Sequence, residues 1–203
     1  MILIIDNGLG NIGSVVRMIE RLGYIPTICS SPEKITSPEK IILPGVGNFD
    51  HGIIALRQRG FDASFWNTVV RKGIDILGIC LGMQLLCRYS EEGIETGLNL
   101  FDGSVKKFHF PSDQNLKVPH MGWNIACPTR PNPLIPINDD ERRYYFVHSY
   151  YVVPDNPDLI IASANYGGDF CAAFQKDNIF GVQFHPEKSH RFGMDLIKRF
   201  IEL

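Results

Sequence analysis

Apolar positions fall into two rhythms along the chain. Through residue 90, short β-type runs alternate with segments of helical period. The pattern predicts strands over 1–6, 25–29, 40–43 and 74–79. Between them it predicts helices over about 12–22, 50–59, 63–72 and 82–89, with Gly23 as a stop after the first. Strand, helix, strand is the rhythm of a parallel sheet covered by helices. From residue 100 the chain turns β-rich. Runs at 103–110, 121–126, 144–153, 159–164, 170–175 and 179–184 are separated by Gly, Pro and Asn. A last amphipathic helix over about 190–202 carries Phe192, Leu196, Ile197, Phe200 and Ile201 on one side. No repeat or low-complexity tract interrupts this order, and the proline-rich stretch Pro128–Pro136 reads as a loop. The 203 residues fit one α/β domain, 1–203.

The junction of the fourth strand with its helix carries the chemistry. Gly78-Ile79-Cys80-Leu81-Gly82 places a cysteine between glycines two residues away on either side. That is the pattern of a nucleophile elbow, a turn so sharp that its neighbours must be small. Helix N–H groups beyond the turn favour the thiolate. Alone, a cysteine after a buried strand reads as a small core residue. Phe184-His185-Pro186-Glu187 changes that reading, because it supplies a base and a carboxylate to orient it. After the third strand, Pro44-Gly45-Val46-Gly47 is a loop whose peptide can adopt either of two orientations. With the N–H of Leu81, it is able to supply donors to an oxyanion. An ordinary strand-exit turn explains that loop equally well.

Charge and cysteine usage exclude several classes. Net charge is −2 and the isoelectric point is near 6.3, which gives no electrostatic case for nucleic acid or an anionic membrane. No apolar run reaches the roughly 20 residues of a membrane span. Cysteines 29, 80, 87, 127 and 171 are odd in number and form no CxxC pair. They predict reduced thiols in a cytoplasmic protein, with no metal site. Gly8-Leu9-Gly10-Asn11-Ile12-Gly13 fits GxGxxG, but the second strand ends Ile28-Cys29-Ser30-Ser31 without the acid that binds ribose. A tight βα turn is the better reading, and no cofactor is expected.

These residues resemble those of the class I, triad-type glutamine amidotransferases, and more closely the glutaminase subunits of imidazole glycerol phosphate synthase. Asp6-Asn7-Gly8-Leu9-Gly10-Asn11, the PGVG loop, Gly78–Gln84, Pro119-His120-Met121-Gly122-Trp123-Asn124, Tyr145–Tyr150 and Gly181–Ser189 carry the resemblance along nearly the whole chain. It implies a three-layer sandwich, with a mostly parallel central sheet, helices on both faces and an added β-rich segment. It implies hydrolysis of L-glutamine by Cys80, His185 and Glu187, with Gln84, Glu92, His148, Ser149 and Tyr150 holding the substrate. His148 reads equally well as a structural histidine. The resemblance also implies a heterodimer with a (β/α)8 cyclase that receives the ammonia. Asn11, Met121, Trp123, Tyr145 and Lys188 would lie near the docking face, although Trp123 also reads as a core aromatic. The family usually has Asp-Tyr-Gly where this chain has Asp6-Asn7-Gly8, on the side where the partner docks. That change leaves open a paralogous role, supplying ammonia for amidination of a bacterial surface sugar. A stand-alone cysteine hydrolase of the same fold is the other alternative.

Overall fold

A computed structural model describes residues 1–35, 38–111, 115–137 and 141–203. The first half alternates β1 (Ile2–Ile5), α1 (Ile12–Arg21), β2 (Pro26–Cys29), β3 (Lys40–Gly45), α2 (Phe49–Gln58), α3 (Ala63–Arg71), β4 (Asp75–Cys80) and α4 (Leu81–Leu85). The second half holds β5 (Tyr89–Ser90), β6 (Gly103–Lys107), β7 (His120–Ile125), β8 (Cys127–Pro128), β9 (Arg143–His148), β10 (Tyr150–Pro154), β11 (Ile160–Asn165), β12 (Asp169–Lys176) and β13 (Ile179–Val182). It closes with α5 (His190–Ile201).

The main sheet runs β2-β1-β3-β4-β13-β12-β10-β6-β5, with β11 on the free side of β12 and β8 beside β11. From β2 to β13 every pairing is parallel. Beyond β13 the pairings turn antiparallel except for β5 with β6. Side chains of the parallel strands alternate between two cores. Ile2, Ile4, Ile42 and Leu77 pack with Val15 and Ile19 of α1 and Leu196 and Phe200 of α5. Leu3, Ile5, Ile41 and Leu43 pack on the opposite face with Ile53 and Leu56 of α2 and Trp66 and Val69 of α3. This is the three-layer α/β arrangement. It explains why β1 and β3 read as unbroken apolar runs, since both faces are covered.

Two elements depart from the sequence pattern. The helix expected over 82–89 ends at Leu85. The returning segment takes over its carbonyls: Leu98 N–H donates to Leu85, those of Leu100 and Phe101 to Leu86, and that of Asn99 to Cys87. A continued helix would have needed those acceptors. The single run expected over 144–153 splits at Ser149. β9 pairs with β7 in a separate two-stranded sheet, and β10 joins β6 in the main sheet. Hydrophobic alternation continues across the break, so the pattern conceals it. Among the described residues no helix is long and apolar enough to cross a membrane.

Candidate active site

The elbow forms where β4 meets α4. Cys80 has φ 53° and ψ −109°, a strained backbone for a residue with a Cβ. The flanking glycines answer a steric demand. A Cβ on Gly82 would lie 1.8 Å from the Leu43 carbonyl oxygen, and one on Gly78 would lie 2.7 Å from that of Gly82. The turn therefore exists only with hydrogen at both positions.

β13 lies parallel to β4, with Val182 opposite Ile79. The chain leaving β13 therefore passes the elbow and delivers His185. Its Nδ1 meets Glu187 Oε1 at 2.7 Å, and both side chains are almost wholly buried. A 3-10 turn at Pro186–Lys188 makes that short reach possible. The backbone is pinned twice: His185 N–H donates to the Tyr145 carbonyl at 2.9 Å, and Ser189 Oγ donates to the His185 carbonyl at 2.6 Å. Burial opposes charge on His185, yet the Cys80 sulfur and the Glu187 carboxylate outweigh it and raise the imidazole to about 10. Its Nε2 has no hydrogen-bond partner among the described residues. It is the ring nitrogen left for proton transfer.

A cavity of about 290 Å³ opens over the sulfur. That is at the small end of ligand sites, about the size for an amino acid. Val46, Gly47, Cys80, Leu81, His148 and His185 line it, together with Gln84, Glu92, Ser149 and Tyr150. Of the loop named from sequence, Gly45 stays outside this lining. It ends β3 level with Cys80, and a Cβ there would crowd Leu81 Cβ at 3.1 Å, so its glycine serves clearance. Gly47 has φ 105°, the conformation that favours glycine.

The residues expected to hold substrate are partly occupied by the protein itself. Gln84 Nε2 donates to the Tyr150 carbonyl at 3.0 Å and to Gln183 Oε1 at 3.1 Å, so Oε1 is the polar atom left for a ligand. Glu92 Oε2 accepts the Phe49 N–H at 2.8 Å, at the start of α2, and burial raises its carboxyl. His148 uses both ring nitrogens, Nδ1 to the Tyr150 carbonyl at 2.8 Å and Nε2 to His120 Nδ1 at 3.0 Å. Burial depresses His148 to about 3 and His120 to about 4. Both are neutral, and the structural reading of His148 is the one its bonds favour. Sequence reasoning assigned no role to Gln183, His120 or Asn124, all of which belong to this network. Their signal was membership of the motifs GVQFHPE and PHMGWN.

Trp123 is half exposed, at 51 %, and Met121 is 62 % exposed, so the core-aromatic reading of Trp123 fails. Trp123 stacks on His190 at 5.3 Å and meets Tyr145 edge-on at 6.0 Å. Lys188 Nζ lies 5.5 Å above the Tyr145 ring. Asn11 is exposed and caps α1, its Oδ1 accepting the Ser14 N–H at 3.3 Å. Asn7, in contrast, is buried, and its Oδ1 closes the turn on the Leu9 N–H. Its side chain offers no contact to a docking protein.

The other thiols are poor competitors for Cys80. Burial raises those of Cys87 and Cys171, and Cys29 Sγ donates to the Ser31 carbonyl at 2.9 Å. Cys127 is exposed. Among the described residues no group of three or more His, Cys, Asp or Glu is placed to hold a metal.

Residues 3–203 match the family model described as glutamine amidotransferase class-I. The chain is 48% identical over 203 residues to the Pseudomonas aeruginosa protein named imidazole glycerol phosphate synthase subunit HisH 2, covering 100% of both. It is 45% identical over 202 residues to the Methanococcus maripaludis protein of that name, covering 100% of this chain and 99% of the other. Among solved structures it resembles PurLQS from Thermotoga maritima, with a TM-score of 0.75 at 18% identity over 99% of this chain and 97% of that one. It also resembles a glutamine amidotransferase from Thermotoga maritima, with a TM-score of 0.62 at 19% identity, over 99% and 80%. At such identities the two structures speak for the fold alone.

Proposed function

This chain belongs to the class I glutamine amidotransferase family, and on that premise we propose that it is the glutaminase subunit of an imidazole glycerol phosphate synthase. It hydrolyses L-glutamine to glutamate and ammonia for histidine biosynthesis in the cytoplasm, as a single domain over 1–203. One observation carries the reading: a strained cysteine, a buried histidine raised by its neighbours and a carboxylate 2.7 Å from that histidine meet at a cavity of amino-acid size. The full-length likeness to proteins named as subunits of that synthase supplies the pathway.

The residues divide the chemistry as follows. The Cys80 thiolate attacks the side-chain carbonyl carbon of glutamine. Charge on the tetrahedral oxygen is met by the Leu81 N–H and by a donor from the Val46–Gly47 peptides. Protonated His185 gives its proton from Nε2 to the leaving nitrogen, and ammonia departs. The neutral ring then takes a proton from water, whose oxygen attacks the glutamyl thioester and releases glutamate. Glu187 keeps the Nδ1–H tautomer throughout. Gln84 Oε1, Glu92, Ser149 and Tyr150 surround the amino-acid end of the substrate.

Ammonia released into water at neutral pH becomes ammonium and loses its nucleophilicity. A docked (β/α)8 cyclase avoids that loss by receiving it directly, in a heterodimer. The docking face is the exposed Met121–Trp123 patch with Tyr145 and Lys188, and Asn11 near by. This patch adjoins the catalytic base, because the Tyr145 carbonyl holds the His185 N–H. We assign the Gly45–Val46–Gly47 loop as a latch that withholds one oxyanion donor until the partner docks, a loss of about 10²–10³ in rate. Glutamate production tests both ideas. It is measured for the chain alone, with the cyclase, and with the cyclase and its nucleotide substrate. A stepwise rise is expected. Equal turnover in all three refutes the latch, and failure of the cyclase to bind refutes the pathway.

A further inference from the structure

Continuing the register of β13 on β4 beyond Val182 and Ile79 brings Gln183 level with Cys80. Gln183 is fully buried, and its Nε2 lies 3.8 Å from Cys80 Sγ. Which end of this amide faces the sulfur is settled by its neighbours. The Tyr150 carbonyl can only accept, so the Gln84 atom 3.0 Å from it is the NH2 group. That group's second hydrogen points to Gln183, which must therefore turn its oxygen to Gln84. The NH2 of Gln183 is left facing Cys80.

The same carbonyl orders the other side of the network. It accepts His148 Nδ1–H, so His148 Nε2 accepts from His120 Nδ1–H. His120 Nε2 then accepts from Asn124 Nδ2, whose other hydrogen goes to the Asn165 carbonyl at 2.9 Å. Two carbonyls that cannot donate set the direction of every bond between them. No member can reverse without placing donor against donor or acceptor against acceptor.

We propose that the Gln183 side-chain N–H is a donor to the Cys80 thiolate, held in that orientation by Gln84 from the Tyr150 carbonyl. This rests on Cys80 being the nucleophile. The need for such a donor follows from the fold. α4 has only five residues, so its dipole is a weak source of thiolate stabilisation. A buried amide with one permitted orientation gives a preorganised dipole instead. It acts at two points in the cycle. Before attack it favours the sulfur as thiolate. When water opens the glutamyl thioester, the C–S bond breaks and its electron pair returns to sulfur, where the same N–H meets it.

The test is the pH profile of Cys80 alkylation by iodoacetamide, in the full chain carrying Cys127→Ser to silence the exposed thiol. Gln183→Met removes the donor at similar length. Its alkylation profile should move to higher pH by about one unit, with rate at pH 7 falling about tenfold. The kcat for glutamine hydrolysis should fall at least as far, and KM should change less than threefold. A merely structural Gln183 would lower melting temperature without moving the alkylation profile, and that outcome overturns the proposal. Should Gln183→Met not fold, side-chain amide resonances of the unsubstituted chain decide. One glutamine NH2 must titrate with the thiol and lose that titration in Cys80→Ala; absence of such a resonance overturns the proposal. Undiminished glutaminase activity in Cys80→Ala would instead overturn the nucleophile assignment beneath it, a result readily told apart.

Discussion

The buried histidine pair should make this protein sensitive to mild acid. Burial holds His148 at about 3, reinforced by the neighbouring His120 and His185, and burial holds His120 at about 4. In the unfolded chain both return to about 6.5. A group whose folded value is depressed stabilises the fold above its unfolded value. That stability is lost as pH falls through 6.5 toward the folded value. At pH 5 both residues are neutral in the native state and protonated in the unfolded one, so each costs roughly 1.5 × 1.36, about 2 kcal/mol, or about 4 kcal/mol together. His185 runs the other way. Its raised value gives stability that is full below 6.5 and lost as pH rises toward 10. Between pH 7 and 5 it returns less than about 1 kcal/mol. The net loss is about 3 kcal/mol, a large part of ordinary domain stability. Glu91, held low by the Lys107 N–H, and Asp102, held low by Lys176, act only below the ordinary carboxylate range. Urea denaturation at pH 7, 6 and 5, followed by tryptophan fluorescence, measures the loss. His148→Asn, which keeps a donor beside Tyr150 and does not titrate, should halve the slope whatever its absolute stability. A wild-type stability that is flat from pH 7 to 5, or a slope unchanged in both His148→Asn and His120→Gln, refutes the reasoning.

Cys80→Ala should remove glutamine hydrolysis while leaving the urea midpoint and cyclase binding unchanged; turnover by this variant with saturating partner would rule the nucleophile out. His185→Ala should cost more than Glu187→Gln, for which a loss of about 10²–10⁴ is expected because geometry survives and tautomer control does not. The reverse order in steady-state kinetics would exchange their roles. Gly82→Ala should destabilise by about 3 kcal/mol or more, since its Cβ meets a backbone carbonyl that cannot yield; a wild-type denaturation midpoint would show that the elbow tolerates a side chain. Trp123→Ala should weaken cyclase binding at least tenfold in a titration, with little effect on thermal stability because the ring is half exposed. Unchanged affinity would move the docking surface elsewhere.

Local physics made much of this protein legible. Period and composition distinguish the βα half from the β-rich half, and the covered faces of β1, β3 and β4 show as unbroken apolar runs. Glycines around Cys80 announce a turn that admits no side chain. His185 and Glu187 are two residues apart, so a short turn alone joins them. Other features depend on contacts between distant segments. The end of α4 was hidden because residues 98–101 take its carbonyls. The break at Ser149 was hidden because one alternating run serves two sheets. The family resemblance named Gln84 and His148 as substrate holders, but only the tertiary structure shows how much of each is spent on Tyr150, Gln183 and His120. Gln183 on a strand is one polar residue among many until the β13–β4 register sets it against a sulfur 103 positions away in sequence. Hydrophobic period is a property of neighbours along the chain. Hydrogen-bond direction is decided by whichever carbonyl the fold brings near, and only the assembled chain contains that choice.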